Sequence, residues 1–115
     1  MEHVFNPDLA FKEIERVLKP GGYFIFTVPI QFKQKQTIIR AKLKDSQIIY
    51  MEKPIYHGDP ISEKGSLITH DYGADFIDYI KKSCNLEICR INKKSYLYGI
   101  DGEYLDVFVL KKISY

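Results

Sequence analysis

The stretch Arg16-Val17-Leu18-Lys19-Pro20-Gly21-Gly22-Tyr23-Phe24-Ile25-Phe26-Thr27-Val28-Pro29 decides the fold. Its first half closes a helix. Upstream, Ala10, Phe11, Ile14, Val17 and Leu18 recur at helical spacing, with Lys12, Glu13, Glu15, Arg16 and Lys19 on the opposite side. Asn6 suits the cap, Pro7 the first helical position and Asp8 the first turn, where the helix dipole favours a carboxylate. Pro20, Gly21 and Gly22 stop the helix, so it is predicted over about residues 7–19. The second half is a strand. Tyr23–Val28 is six β-formers in a row without polar alternation, the pattern of a strand covered on both faces, and Pro29 ends it. Helix, Pro-Gly-Gly turn and apolar strand make half of a βαβ unit. The strand that should precede the helix is missing or survives only as Met1–Val4.

Working outward, a second helix is predicted from near Asp71. Tyr72, Phe76, Ile77, Ile80 and Cys84 form one stripe, Asp71, Asp75 and Asp78 lie toward its N-terminus, Lys81 and Lys82 occupy its last turn, and Asn85 serves as a left-handed terminator. Two strands follow, Leu86–Asn92 and Tyr104–Lys111, joined through the turn residues Tyr98-Gly99-Ile100-Asp101-Gly102. The shorter, more polar strand suits a sheet edge and the apolar Val107–Leu110 run an interior position. Between the two halves, about residues 30–70 read as an irregular or hairpin insert, with Lys44-Asp45-Ser46 as a hairpin turn between Thr37–Leu43 and Gln47–Met51. The predicted fold class is therefore α/β in one domain over residues 1–115.

Composition bounds the function. The chain has 115 residues, 45% hydrophobic and 28% charged, the mixture of an ordinary globular protein. A net charge of +2 does not point to nucleic acid, and no apolar run is long enough for a membrane helix. Met1–Phe5 does not read as a signal peptide, so the expected compartment is cytoplasmic. Cys84 and Cys89 make neither a disulfide framework nor a zinc site and are expected as reduced, buried thiols. His3, His57 and His70 lack the close spacing of a metal site, so no metal is expected. Lys33, Lys35, Arg40, Lys42 and Lys44, with no acid among them, read as a solvated face or as a contact for an anionic ligand.

Glu2-His3-Val4-x-x-Pro7, the helix ending Val17-Leu18-Lys19-Pro20-Gly21-Gly22, and Phe24–Pro29 together resemble the second half of a class I S-adenosylmethionine-dependent methyltransferase. In that family a Glu-His pair ends the fourth strand, and the helix and Pro-Gly-Gly turn lead into the fifth. Tyr56-His57-Gly58-Asp59-Pro60-Ile61, Gly65-Ser66-Leu67 and Asp71-Tyr72-Gly73 resemble a subgroup of these enzymes, and the last two strands resemble the sixth and seventh. The resemblance implies a partial Rossmann-like sheet of three strands, the last antiparallel and central, with two main helices. It also implies that the chain is the carboxyl-terminal half of the fold. The family's Gly-rich turn after the first strand, which lets backbone approach the cofactor, has no counterpart here: Gly21-Gly22 precedes a strand.

By the same resemblance the cofactor is S-adenosylmethionine, with Glu2, His3 and Val4 as residual contacts, although this chain alone is not expected to bind or transfer. His3 is the candidate base, since imidazole titrates near neutrality, or else an exposed histidine. Tyr56 and His57 are candidate acceptor-positioning residues, or a loop packed on its own aromatic. The acceptor is not legible. The strand at 23–28 lacks its parallel neighbour, so a homodimer or a complementary chain is the expected partner. The alternative function is an inactive, homo-oligomeric or protein-interaction module.

Overall fold

The helix expected over 7–19 forms as α1 (Pro7–Val17) and the strand over 23–28 as β1 (Tyr23–Phe26), in a computed structural model that describes residues 1–113. Along the chain follow β2 (Ile30–Gln31), β3 (Ile38–Ile39), β4 (Ala41–Lys44), β5 (Gln47–Tyr50), β6 (Tyr56–His57), β7 (Ser66–Leu67), β8 (His70–Gly73), α2 (Phe76–Ser83), β9 (Glu87–Asn92) and β10 (Asp106–Lys111). These group into two compact units, Asp8–Pro29 with the residues from Ile77 onward, and Met1–Pro7 with Ile30–Phe76. The fold is mixed α/β, with two helices and several small sheets among the described residues.

The first unit holds a three-stranded sheet in the order β1-β10-β9, antiparallel at both joints. The last strand is central, as expected from its apolar run. Phe24 faces Leu110 and Phe26 faces Phe108 in register, and Phe26 stacks on Phe108 at 5.5 Å between ring centres. Phe11 of α1 lies 6.0 Å from Phe26. Phe11, Ile80, Phe108 and Leu110 have no exposed surface, and each such side chain contributes roughly 1.5–3 kcal/mol through burial. Gly21 takes φ +79°, which only glycine adopts freely, and its N–H donates to the Lys112 carbonyl. The turn that ends α1 thus also begins the sheet.

The opposite face of β1 corrects the expectation of a doubly covered strand. Tyr23 and Ile25 are 55% and 63% exposed, because the described residues cover only the face bearing Phe24 and Phe26. At the far end of the sheet, Asp106 is buried and held by Arg90 Nε at 2.6 Å and Asn92 Nδ2 at 3.0 Å, which satisfies a carboxylate that would otherwise be costly to bury. Tyr79 is half-buried. Burial, then its hydrogen bond to the Asp8 carboxylate, raises its phenol well above the ordinary value.

The second unit is built from short ladders. β8 pairs parallel with β2 and antiparallel with β3. This corrects the helix expected from Asp71: Asp71, Tyr72 and Gly73 are strand, and α2 starts at Phe76. Tyr72, almost fully buried and 4.5 Å from Phe76 between ring centres, belongs to the sheet's core and not to a helical stripe. Asp75 serves Thr37, accepting from its N–H and hydroxyl, and Asp71 pairs with Arg40 at 2.9 Å. Asn85 is not left-handed, Cys89 is exposed on the edge strand β9 while Cys84 is buried, and Met1–Val4 is a turn, closed by a Val4 N–H to Met1 carbonyl bond. His70 is buried in β8, stacked on Tyr72.

The hairpin in the insert forms as β4-β5, with Ala41 opposite Tyr50. Its turn residues Asp45 and Ser46 both have positive φ (50° and 63°), the conformation that matches hairpin twist but costs a residue with a Cβ. Ser46→Gly is therefore expected to raise the free energy of unfolding by about 0.5–1 kcal/mol, read from urea titration.

Candidate functional site

The first four residues are tied by hydrogen bonds to Leu67, Thr69, His70 and Tyr72, several of them through Thr69. Thr69 has no exposed surface, and its Oγ1 donates to the Val4 carbonyl at 2.7 Å while lying 2.9 Å from His70 Nδ1. Its backbone N–H donates to the Glu2 carbonyl at 2.8 Å. A β-branched side chain with a rigid χ1 is well suited to this, since the hydroxyl needs no search for its partners.

Glu2 and His3 are thereby presented beside the β6-β7 ladder, in which Tyr56 faces Leu67 and His57 faces Ser66. His3 Nδ1 donates to the Leu67 carbonyl at 2.8 Å. A carbonyl only accepts, so Nδ1 carries the proton and the neutral ring has its lone pair on Nε2. That Nε2 lies 3.2 Å from His57 Nδ1 and 3.5 Å from Glu2 Oε1, and Glu2 Oε1 lies 4.0 Å from His57 Nδ1. The two rings meet edge to face at 5.0 Å. The side chains are partly open to solvent, at 17% for Glu2, 33% for His3 and 45% for His57.

Two carboxyls beside these rings are held below their ordinary values. For Glu2, burial acts in the opposite direction and is outweighed by its own backbone N–H and the Met1 amino group. For Asp59, the Ile61 N–H and then the Ser66 hydroxyl favour the charged form. Asp59 thus ties the loop after β6 to β7. Gly65, at φ +79°, completes the return: a Cβ there would overlap the His57 carbonyl, so the close approach that positions His57 requires glycine.

Of the residues singled out from sequence, Glu2, His3 and His57 come together. Tyr56 does not join them. It precedes His57 in a strand, so the two side chains leave opposite faces, and its hydroxyl bonds with Tyr50, which together with burial and the neighbouring phenol's charge raises its pKa. Val4 contributes its carbonyl to Thr69 and leaves its side chain 36% exposed. Arg40 is not a free anion contact: it spans Asp71 and the Lys53 carbonyl, while Lys33, Lys35, Lys42 and Lys44 are exposed. Sequence reasoning missed Thr69 and the convergence of His57 on Glu2-His3. Fifty-odd residues separate the histidines, and only the β6-β7 pairing closes that distance.

A family model described as a methyltransferase domain matches residues 1–26. The matched segment carries Glu2-His3, α1, the Pro-Gly-Gly turn and β1. No curated protein and no solved structure matches the chain. The residues present do not fit a whole S-adenosylmethionine molecule, because no Gly-rich turn follows a parallel strand among the described residues. No helix among them is long and apolar enough to cross a membrane.

Two outcomes follow for this unit. Thr69→Val leaves the Val4 carbonyl and His70 short of a partner and is expected to cost about 1–3 kcal/mol in chemical denaturation. Because the Glu2 and Asp59 carboxyls are lowered in the folded state, their contribution is fully present above the ordinary carboxyl range and is lost as pH falls through the lowered folded values. Melting temperature followed from pH 6 to pH 2 should fall steeply below about 4, and less steeply in Asp59→Asn.

Proposed function

We propose that this chain is the carboxyl-terminal half of a class I S-adenosylmethionine-dependent methyltransferase fold and serves methyl transfer as part of the complete sheet. The observation that carries the reading is the order β1-β10-β9 with the last strand antiparallel and in the middle. That order corresponds to the family's fifth, seventh and sixth strands. The methyltransferase-domain match supports it independently, since it runs through α1 into β1, the step from helix to fifth strand. The exposed face of Tyr23 and Ile25 and the six-residue apolar run also accord with a strand whose other neighbours belong to the rest of the sheet.

In this reading the 115 residues are one domain that supplies the acceptor side. Glu2, His3 and His57 line it, with Nε2 of His3 as the proton acceptor where the acceptor atom must lose a proton. The protein's part in such a displacement is alignment of the two reactants and exclusion of water. Val4 flanks this edge as a cofactor-side contact. The methyl donor, S-adenosylmethionine, is held by the Gly-rich half, and this chain by itself is not active. The compartment in which it works is cytoplasmic.

A second reading has its own observation. The free edge of β1, next to exposed Tyr23 and Ile25, suits strand addition by a second copy of the chain, giving a homodimer without methyl chemistry.

Calorimetric titration with S-adenosylmethionine separates these. We expect no binding tighter than millimolar by the 115 residues alone, and micromolar binding by the polypeptide that carries an in-frame strand and Gly-x-Gly turn ahead of Met1. Micromolar binding by the short chain overturns the need for the Gly-rich half; failure of the longer one to bind overturns the methyltransferase reading. Light scattering at high concentration tests the second copy, which a single monomeric species rules out.

A further inference from the structure

We propose that Glu2, His3 and His57 form a binding site for a divalent first-row metal ion of the zinc class. The donor atoms of the three lie within 4.8 Å of one another. Two of the separations, 3.2 and 3.5 Å, are those of neighbouring ligands around one ion, and the third, 4.0 Å, is wider. A point equidistant from the three atoms lies about 2.1 Å from each, the length of a zinc bond to imidazole nitrogen or carboxylate oxygen.

The surroundings are those of a ligand set and not of a chance cluster. His3 gives its other ring nitrogen to the Leu67 carbonyl, the supporting bond that metal-binding imidazoles almost always make, and this leaves the Nε2 lone pair directed at His57 and Glu2. Thr69 fixes the backbone on either side of Glu2-His3, and Gly65 fixes that of His57, so each ligand arrives from an ordered segment. Two imidazoles and one carboxylate suit zinc, cobalt, nickel or iron. Magnesium and calcium, which want six or more oxygens, are disfavoured. Three protein ligands on a partly open surface leave at least one coordination position for water or for an oxygen or nitrogen of a ligand, the arrangement of reactive and not of structural zinc.

Metal entry exchanges one bond for another. The hydrogen bond between His57 Nδ1 and His3 Nε2 gives way to the metal, and the ring proton of His57 moves from Nδ1 to its own Nε2. The assignment goes beyond the methyl-transfer reading and does not need it. Where both hold, the His3 lone pair goes to the metal and not to a substrate proton.

The test is titration of the full chain with Co²⁺, followed by its ligand-field absorption, and with Zn²⁺ in competition with a chelating dye. Expected are one ion per chain, intense visible bands of low-coordinate cobalt, and displacement of cobalt by zinc. His57→Ala, at an exposed position where folding is checked by circular dichroism, should weaken binding by more than about 100-fold, and Glu2→Gln should weaken it as well. Cys89→Ser removes the exposed thiol and should leave binding unchanged. Absence of binding, binding untouched by both His57→Ala and Glu2→Gln, or binding lost in Cys89→Ser each overturns the site. None of these readouts involves S-adenosylmethionine, so failure here leaves the methyl-transfer reading to its own calorimetry.

Discussion

The side chain and backbone of Thr69 make the contacts on which the placing of Glu2 and His3 most depends. A side chain of three heavy atoms reaches the Val4 carbonyl and His70 at once, while its own N–H takes the Glu2 carbonyl. Residues 1–4 contain no regular structure that would otherwise order them. Thr69 is fully enclosed, so water does not compete for its side of these bonds. Through them Glu2 and His3 sit at fixed distance from a histidine more than fifty residues away.

The sheet of the other unit shows a different economy of design. β10 satisfies hydrogen-bonding groups of both β1 and β9, and its alternating side chains put Phe108 and Leu110 into the core while Val107 and Val109 face the other way, half-buried. The uncovered face of β1 is the visible cost of a sheet with helices against one side. Tyr23 and Ile25 stay exposed on that face, at the end of the sheet opposite to β9.

What could be read from the residues alone followed the strength of local signals. α1 was legible because periodicity, cap, first-turn acid and Pro-Gly-Gly stop all agree, and the order of the last strands because Val107–Leu110 is too apolar for an edge. Asp45-Ser46 was legible as a turn. The start of α2 was not. Tyr72 has helical spacing to Phe76, yet Tyr72 and Gly73 are taken by pairing with Ile30 and Gln31, a non-local claim that no window of sequence displays. The same limit hid the site. Glu2 and His3 could be singled out, and His57 separately, but their meeting depends on two-residue strands too short to announce themselves, and Thr69, between Ile68 and His70, carries no local signal of its role. Tyr56 and His57 read as loop aromatics beside a glycine, yet they form a short strand, in which neighbouring side chains leave opposite faces.

The central position of β10 also constrains how the protein is made. Strand β1 must wait for a partner about 80 residues further along the chain, and at roughly 5–20 residues per second a ribosome takes some 4–16 s to supply it. Helix formation takes about a microsecond, so α1 is ready long before the surface it should cover exists. During that interval Tyr23–Phe26 is an apolar segment of high β-propensity with both edges bare, as suited to a neighbouring nascent chain as to its own β10. The basic residues that follow, Lys33 and Lys35, lie close enough to discourage such encounters by charge.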